Sequence, residues 1–166
     1  MLPAYLPNPV AAVSGGGTPV DFGRNFTDGR RIFGDGKTWR GLIVGILAGV
    51  GIGIIQIWAA GAFELDFLPH LTLLAVCLLA AGALLGDIVK SFFKRRSGRE
   101  RGAKWPVADQ YDLVAGAFLL LVIFDSGWLF GEITLPAFIF ILILTPILHR
   151  AMNIIGFTIK VKEVPW

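Results

Sequence analysis

The chain has 166 residues, of which 55% are apolar and 16% charged, with a formal net charge of +3. Soluble domains carry roughly 45–50% apolar and about 25% charged residues, so a water-soluble core is excluded and a bilayer becomes the solvent to reason with. The single cysteine, Cys77, sits in an apolar run, which leaves no disulfide framework and no thiolate metal site. It reads as packing.

A hydrocarbon layer of about 30 Å needs roughly 20 apolar residues in a helix. The first apolar piece, Leu2 to Val13, is too short to cross unaided, and Pro3, Pro7 and Pro9 are expected to break any helix in it. With no basic n-region and no cleavage pattern it is not a signal peptide. It reads as the inner end of a first span or as a short re-entrant piece. Gly41 to Phe63 and Phe67 to Gly86 contain no Lys, Arg, Asp or Glu. Leu113 to Phe130 fits with Asp125 near one end, and Ile133 to His149 can extend past Arg150 to Phe157. The expected fold is all-α: a polytopic transmembrane helix bundle of four clear spans plus a partial first span, forming a single membrane domain over residues 1–166.

Lys and Arg in short loops stay on the cytoplasmic side of a membrane. Here five lie between Arg24 and Arg40, seven between Lys90 and Lys104, and Arg150, Lys160 and Lys162 close the chain, which accounts for all 15. The other two connectors carry Glu64, Asp66, Asp125 and Glu132 and no basic residue. The C-terminus is therefore expected to be cytoplasmic in the cell membrane. The long loops 14–40 and 90–110 then face one compartment, where they can form one active site.

Within the spans, Gly41, Gly45, Gly49 and Gly53 recur every four residues, a face on which another helix can approach closely. The run Gly49-Val-Gly51-Ile-Gly53 follows no soluble strand, so it is packing and not a dinucleotide fingerprint. Pro146 should kink the last span and free a backbone carbonyl for a neighbour. His70 and His149 fall near opposite membrane boundaries, and Trp39, Trp58, Trp105 and Trp128 lie near span ends as an aromatic belt.

The first loop is rich in glycine and hydroxyl groups, from Gly15-Gly-Gly-Thr-Pro to Gly34-Asp-Gly-Lys-Thr38, and runs into a helix. Gly36-Lys37-Thr38 can bind phosphate through backbone N–H groups and the helix N-terminus. An ordinary basic juxtamembrane turn stays open as the other reading, since Arg31 stands where a Walker pattern needs glycine. In the second loop, helical continuation past Gly86 would put Asp87, Lys90 and Lys94 on one face. Asp109 and Asp112, three apart, likewise point the same way. Oxygen-only carboxylates beside lysines suit Mg²⁺ with phosphate; helix capping by Asp109 and dipole pairing by Asp112 is the alternative.

The order Gly86-Asp87, Lys94-Arg95 and Asp109-Gln-Tyr-Asp112 resembles the signature of the CTP-dependent phosphatidate cytidylyltransferase family. The short chain, Asp-Gln-x-Asp in place of Asp-Arg-x-Asp, Trp105-Pro106 and the Gly34–Thr38 loop resemble its archaeal branch, the CDP-archaeol synthases, over nearly the whole chain. Arg99-Glu100-Arg101 stands where the bacterial pattern has Lys-Asp, and the Gly-His-Gly-Gly run before the final acids is absent.

The resemblance implies a Mg²⁺-dependent nucleotidyltransferase that joins CTP to a digeranylgeranylglyceryl phosphate and releases pyrophosphate. It assigns Asp87, Asp109 and Asp112 to Mg²⁺, with Lys90 beside them as catalytic. Gly36, Lys37, Thr38 and Lys90 are candidates for the triphosphate, and Lys94, Arg95 and Lys104 for the remaining phosphates. The expected partners are CTP, the isoprenoid ether-lipid phosphate and membrane lipids, with a homodimer as the candidate assembly and no nucleic acid. A groove lined by the glycine-rich first span would admit the lipid tails, helix packing being the equal alternative for those glycines. Two other functions compete: a bacterial-type CDP-diacylglycerol synthase, and a non-enzymatic membrane subunit whose basic loops bind anionic lipid heads.

Overall fold

The computed structural model describes residues 1–65, 67–99 and 103–160; Asp66, Glu100, Arg101 and Lys162 of the sequence reading lie outside them. Among the described residues seven helices follow in chain order: α1 (Leu2–Tyr5), α2 (Pro7–Ser14), α3 (Trp39–Ala62), α4 (Leu73–Arg96), α5 (Ala108–Phe124), α6 (Ser126–Glu132) and α7 (Leu135–Thr158). Among the described residues β structure is limited to two isolated bridges, Pro19 with Thr38 and Asn25 with Arg31. Helices α3, α4 and α7 are each long and apolar enough to cross a membrane, and α5 with α6 makes a fourth span if the bent pair counts as one.

The helix boundaries depart from the sequence expectation in three places. The second span begins at Leu73 instead of Phe67, because Pro69 disfavours helix before it and Thr72 caps the new start, accepting from Ala75 N at 3.0 Å. It runs on through Asp87, Lys90 and Lys94 to Arg96, so those side chains stand on a rigid helix and not in a loop. The third span breaks at Asp125, whose side chain accepts from Trp128 N at 3.4 Å and starts α6 at 117° to α5. The last span takes the expected extension: α7 continues through Arg150 to Thr158, which places His149 inside the helix.

The N-terminal piece is helical despite its prolines. Pro3 and Pro7 occupy first-turn positions of α1 and α2, and Pro9 is in the first turn of α2. There a missing N–H costs nothing, because the first four N–H groups of a helix have no partner within it. These two short helices fill the glycine face of α3. A Cβ on Gly41 would lie 2.8 Å from Ala11 O, one on Gly45 2.8 Å from Pro7 O, and one on Gly49 2.7 Å from Pro3 O. The contacts descend 11, 7, 3 as the glycines ascend, so α1–α2 runs antiparallel to α3 with backbone against backbone. The glycine stripe is thus a packing face covered by protein, and not the wall of a lipid groove.

A second crossing of the same kind joins α4 to α5. A Cβ on Gly82 would lie 2.6 Å from Ala117 Cα and 2.7 Å from Gly116 O, and one on Gly86 would run into Asp112 O. Around it sits the main core, with Ala75, Leu79, Ala83, Ala117 and Leu121 buried and Ala4 joining from α1. Pro146 behaves as expected: it cannot bond Leu142 O, and the Tyr111 hydroxyl donates to that carbonyl at 3.0 Å. Tyr5 and Thr145 hydroxyls meet at 2.8 Å, which ties α1 to α7. On the far side, Trp128 Nε1 donates to His70 O at 2.6 Å, and His70 N to Glu132 at 2.7 Å, joining the two acidic connectors.

Replacing Gly82 by Val should lower stability by about 1–3 kcal/mol, because the facing backbone has no room to give. Gly51→Ala, where nothing lies within 4 Å, should be neutral or slightly stabilising. Thermal unfolding midpoints in detergent check the pair; equal midpoints would show that the α4–α5 crossing does not depend on glycine.

Candidate functional site

Where α4 ends and α5 begins, the glycine crossing brings three carboxylates around one ammonium. Lys90 Nζ lies 3.0 Å from Asp87 Oδ1, 2.6 Å from Asp112 Oδ2 and 3.4 Å from Asp109 Oδ1. Asp87 takes a second cation from Lys37, in a close ion pair, and Asp109 a second from Lys94 at 3.1 Å. Three acids and three lysines form a nearly enclosed, charge-balanced cluster, with Asp112 itself buried. Pairing of this kind is what lets charges persist away from water.

The sequence-predicted stripe is therefore real: Asp87, Lys90 and Lys94 share one face of α4, and Asp109 and Asp112 meet it from α5. The capping alternative for Asp109 does not hold, since α5 has no side-chain cap. Its carboxylate instead accepts from Trp105 N at 2.7 Å. The chain reaches it through a tight turn at Val107, whose φ of 69° is strained for a β-branched residue. Ser91 Oγ donates to Asp87 O at 2.8 Å and steadies the same turn of α4.

The other predicted residues have different surroundings. Thr38 caps α3, accepting from Gly41 N at 3.2 Å, so its oxygen already serves the helix. Gly36 is exposed at the turn leading into it. Arg95 does not face the carboxylates: it donates to Arg99 O at 2.7 Å and lies against Gly34. Lys104 is exposed on the connector between α4 and α5. Beside the cluster a cleft of ≈ 420 Å³, open mouth included, is lined by α2, the Gly36-Lys37-Thr38 turn, and Asp87 and Ile88 of α4.

Sequence reasoning missed the residue that shapes the first loop. Asp21 is enclosed and accepts from Arg31 at 2.5 Å, Phe33 N at 2.9 Å, Gly34 N at 3.0 Å and Gly23 N at 3.1 Å. Burial alone would push its carboxyl up, yet the Arg31 guanidinium and the three N–H groups hold it well below the usual carboxylate range. The folded loop is then fastened to α4 by Arg96. That guanidinium pairs with Asp28 at 2.8 Å, donates to Arg31 O at 2.6 Å and lies over the rings of Phe26 and Phe92. An acid followed ten residues later by arginine inside a glycine-rich loop was the available signal.

A helical bundle with its charge gathered at the helix ends, and with several apolar helices around it, is a multi-pass membrane protein. The sequence profile of the CarS-like family, described as CDP-archaeol synthase, matches residues 1–166. The chain is 66% identical to the CDP-archaeol synthase of Methanoregula boonei and 63% identical to that of Methanoculleus marisnigri, over the full length of both proteins in each case. A solved structure described as an intramembrane enzyme for archaeal membrane lipid biosynthesis superimposes with a TM-score of 0.69 at 33% identity, covering 98% of this chain and 90% of that one. The chain belongs to the CDP-archaeol synthase family, whose members are membrane transferases of lipid biosynthesis.

Because the folded Asp21 carboxyl titrates below its unfolded value, its contribution to loop stability is complete above an ordinary carboxylate pKa of about 4 and fades as the pH falls below it. The amide NMR signals of Gly23, Phe33 and Gly34 should accordingly titrate with a midpoint below about 4, and Arg31→Ala should move that midpoint upward. A midpoint at or above the ordinary value would remove Asp21 from the centre of the loop.

Proposed function

We propose that the chain transfers the cytidylyl group of CTP to 2,3-bis-O-(geranylgeranyl)-sn-glycerol 1-phosphate, on the cytoplasmic face of the membrane. An oxygen of the lipid phosphate bonds to the α-phosphorus of CTP while the bond to the bridging oxygen breaks. The CDP-activated ether lipid forms and pyrophosphate leaves. The lipid phosphate is already ionised near neutral pH, so the site has no need of a strong general base. Its work is positioning and charge neutralisation.

The observation that carries this reading is the cluster of Asp87, Asp109 and Asp112 converging on one point beside the Lys37 turn. As they stand, no three Asp, Glu, His or Cys side chains among the described residues are drawn close enough to hold a metal. The three carboxylates instead share the Lys90 ammonium at 2.6–3.4 Å. An all-oxygen set converging on a single cation is the donor chemistry of Mg²⁺ with phosphate. Asp87, Asp109 and Asp112 are the residues that would hold it, and the ion when bound would offset charge on the departing pyrophosphate.

The chain's own cations do the rest. Lys37, at the turn before the N-terminus of α3, is the candidate for the triphosphate, and that helix end adds partial positive charge. Lys94, which pairs with Asp109 at 3.1 Å, is the candidate for the lipid phosphate. Lys90 keeps the acids together and orients them. The distribution of Lys and Arg supports a cytoplasmic position for this end of the bundle and for the C-terminus of α7.

Purified protein in detergent should release pyrophosphate from CTP only when both Mg²⁺ and the lipid phosphate are supplied. Asp112→Asn or Asp109→Asn should lower that rate by roughly 10²-fold or more, as loss of a transition-state charge partner does. A polybasic lipid-binding subunit would tolerate both changes, so full activity in either variant, or no release from lipid-binding wild-type protein, would reject the transferase reading.

A further inference from the structure

We propose that Phe22 is a membrane anchor: its ring enters the interfacial layer of the bilayer beside Trp39 and holds the first loop, with the segment that carries Lys37, against the lipid surface. The anchor is independent of the transfer reaction.

The geometry fixes where Phe22 stands. Trp39 opens α3 and shares a face with Ile43 and Leu47, and all three are exposed on a helix long and apolar enough to cross a membrane. Their four-residue spacing makes one stripe, and on a spanning helix an exposed apolar stripe faces lipid. Trp39 is the end of that stripe, at the boundary with water where aromatic rings collect. The Phe22 ring lies against it, with centroids 6.3 Å apart, yet stays 63% exposed. An open phenyl ring beside the lipid-facing end of α3 continues the surface that the bilayer already covers.

The loop is shaped to present that ring. Phe22 N donates to Pro19 O at 3.0 Å and closes a turn. The Phe22 backbone has a φ of 50°, a left-handed conformation that bulky residues avoid. Next to it the buried Asp21 carboxylate accepts from Gly23 N at 3.1 Å and enforces the turn. Strain persists only where the surrounding structure imposes it, and here it directs an apolar ring outward. Arg24 and Arg40, close in sequence to the two rings, are both exposed. Cations at that level suit the phosphates of anionic headgroups.

The anchor reaches the charged cluster through the backbone. Val20 N donates to Lys37 O at 2.8 Å and Trp39 N to Thr18 O at 3.1 Å, so the two segments are zipped together. The other end of the loop is held to α4 by the pairing of Arg96 with Asp28, about 13 Å of helix beyond Asp87. The loop is thus fastened to protein at one end and to the bilayer at the other.

Two measurements test this. Phe22→Cys and Thr27→Cys, each in a Cys77→Ser background, take a nitroxide label and are placed in vesicles of phosphatidylcholine and phosphatidylglycerol. Electron paramagnetic resonance should show the label that replaces Phe22 relaxed mainly by oxygen, which concentrates in lipid. The label that replaces Thr27, next to Asp28, should be relaxed mainly by a water-soluble nickel chelate. Equal access of the chelate to both labels would put Phe22 in water and overturn the proposal. The second measurement is hydrogen exchange at the Val20 and Trp39 amides in the same vesicles, with equal unfolding midpoints as the folding control. Phe22→Glu should speed both amides by roughly 10-fold, whereas Phe22→Trp should leave them as in wild type. Equal exchange in all three proteins would show that the ring does not hold the loop, which also overturns the proposal. Neither readout needs turnover, so failure of the anchor and failure of the transferase reading are separate results.

Discussion

The contact on which the rest of this protein depends is the backbone-to-backbone crossing of α4 and α5 at Gly82, Gly86 and Gly116. Helices separated by ordinary side chains pack about 8–10 Å apart. Here the peptide groups themselves touch, and Asp112 O lies against Gly86, one residue before Asp87. A single lysine on α4 can then reach an acid on its own helix and two on the next. Within a bilayer no hydrophobic gain drives helix association, because lipid tails are as apolar as leucine. Close approach through small residues supplies dispersion contacts instead, and the α3 glycines repeat the device against α1–α2.

That closeness creates an electrostatic problem which the site solves by pairing. Three carboxylates within reach of one nitrogen repel one another strongly where the local dielectric is low. Lys37, Lys90 and Lys94 offset them one for one, and each reaches the cluster from a place the fold holds firmly. Two are on α4, and the third is on a turn whose shape is set by Asp21 and whose position is set by Arg96. The loop and the helix ends therefore form one electrostatic unit. Loosening Asp21 or Arg96 should reach the carboxylates through Lys37, although neither residue touches them.

Much of this was legible in the sequence where a helix period links residues close in the chain. Asp87, Lys90 and Lys94 at i, i+3 and i+7 predicted a shared face once α4 continued beyond Gly86. The four-residue glycine repeat of α3 predicted close packing, and Pro146 predicted a carbonyl freed for a neighbour. Relations that join distant segments were not legible. Nothing local pairs Gly82 and Gly86 with Gly116, and the partner of Pro146's freed carbonyl, Tyr111, stands 31 residues away from Leu142. The break at Asp125 was hidden because its flanks are equally apolar, so hydropathy runs through a corner that a capping side chain imposes. The prolines of α1 and α2 misled for the opposite reason, since a rule about helix interiors was applied to first turns.

The N-terminal helices show how such a rule matters for function. Leu2 to Ser14 offers about 20 Å of helix, short of the roughly 30 Å a span requires, so its stability must come from the surface it lies on. The α3 glycines furnish that surface, and the close fit leaves no room for lipid tails against them. In exchange a polar side chain, Asn8, is carried a full turn below the charged end of the bundle, where an ordinary loop could not place it.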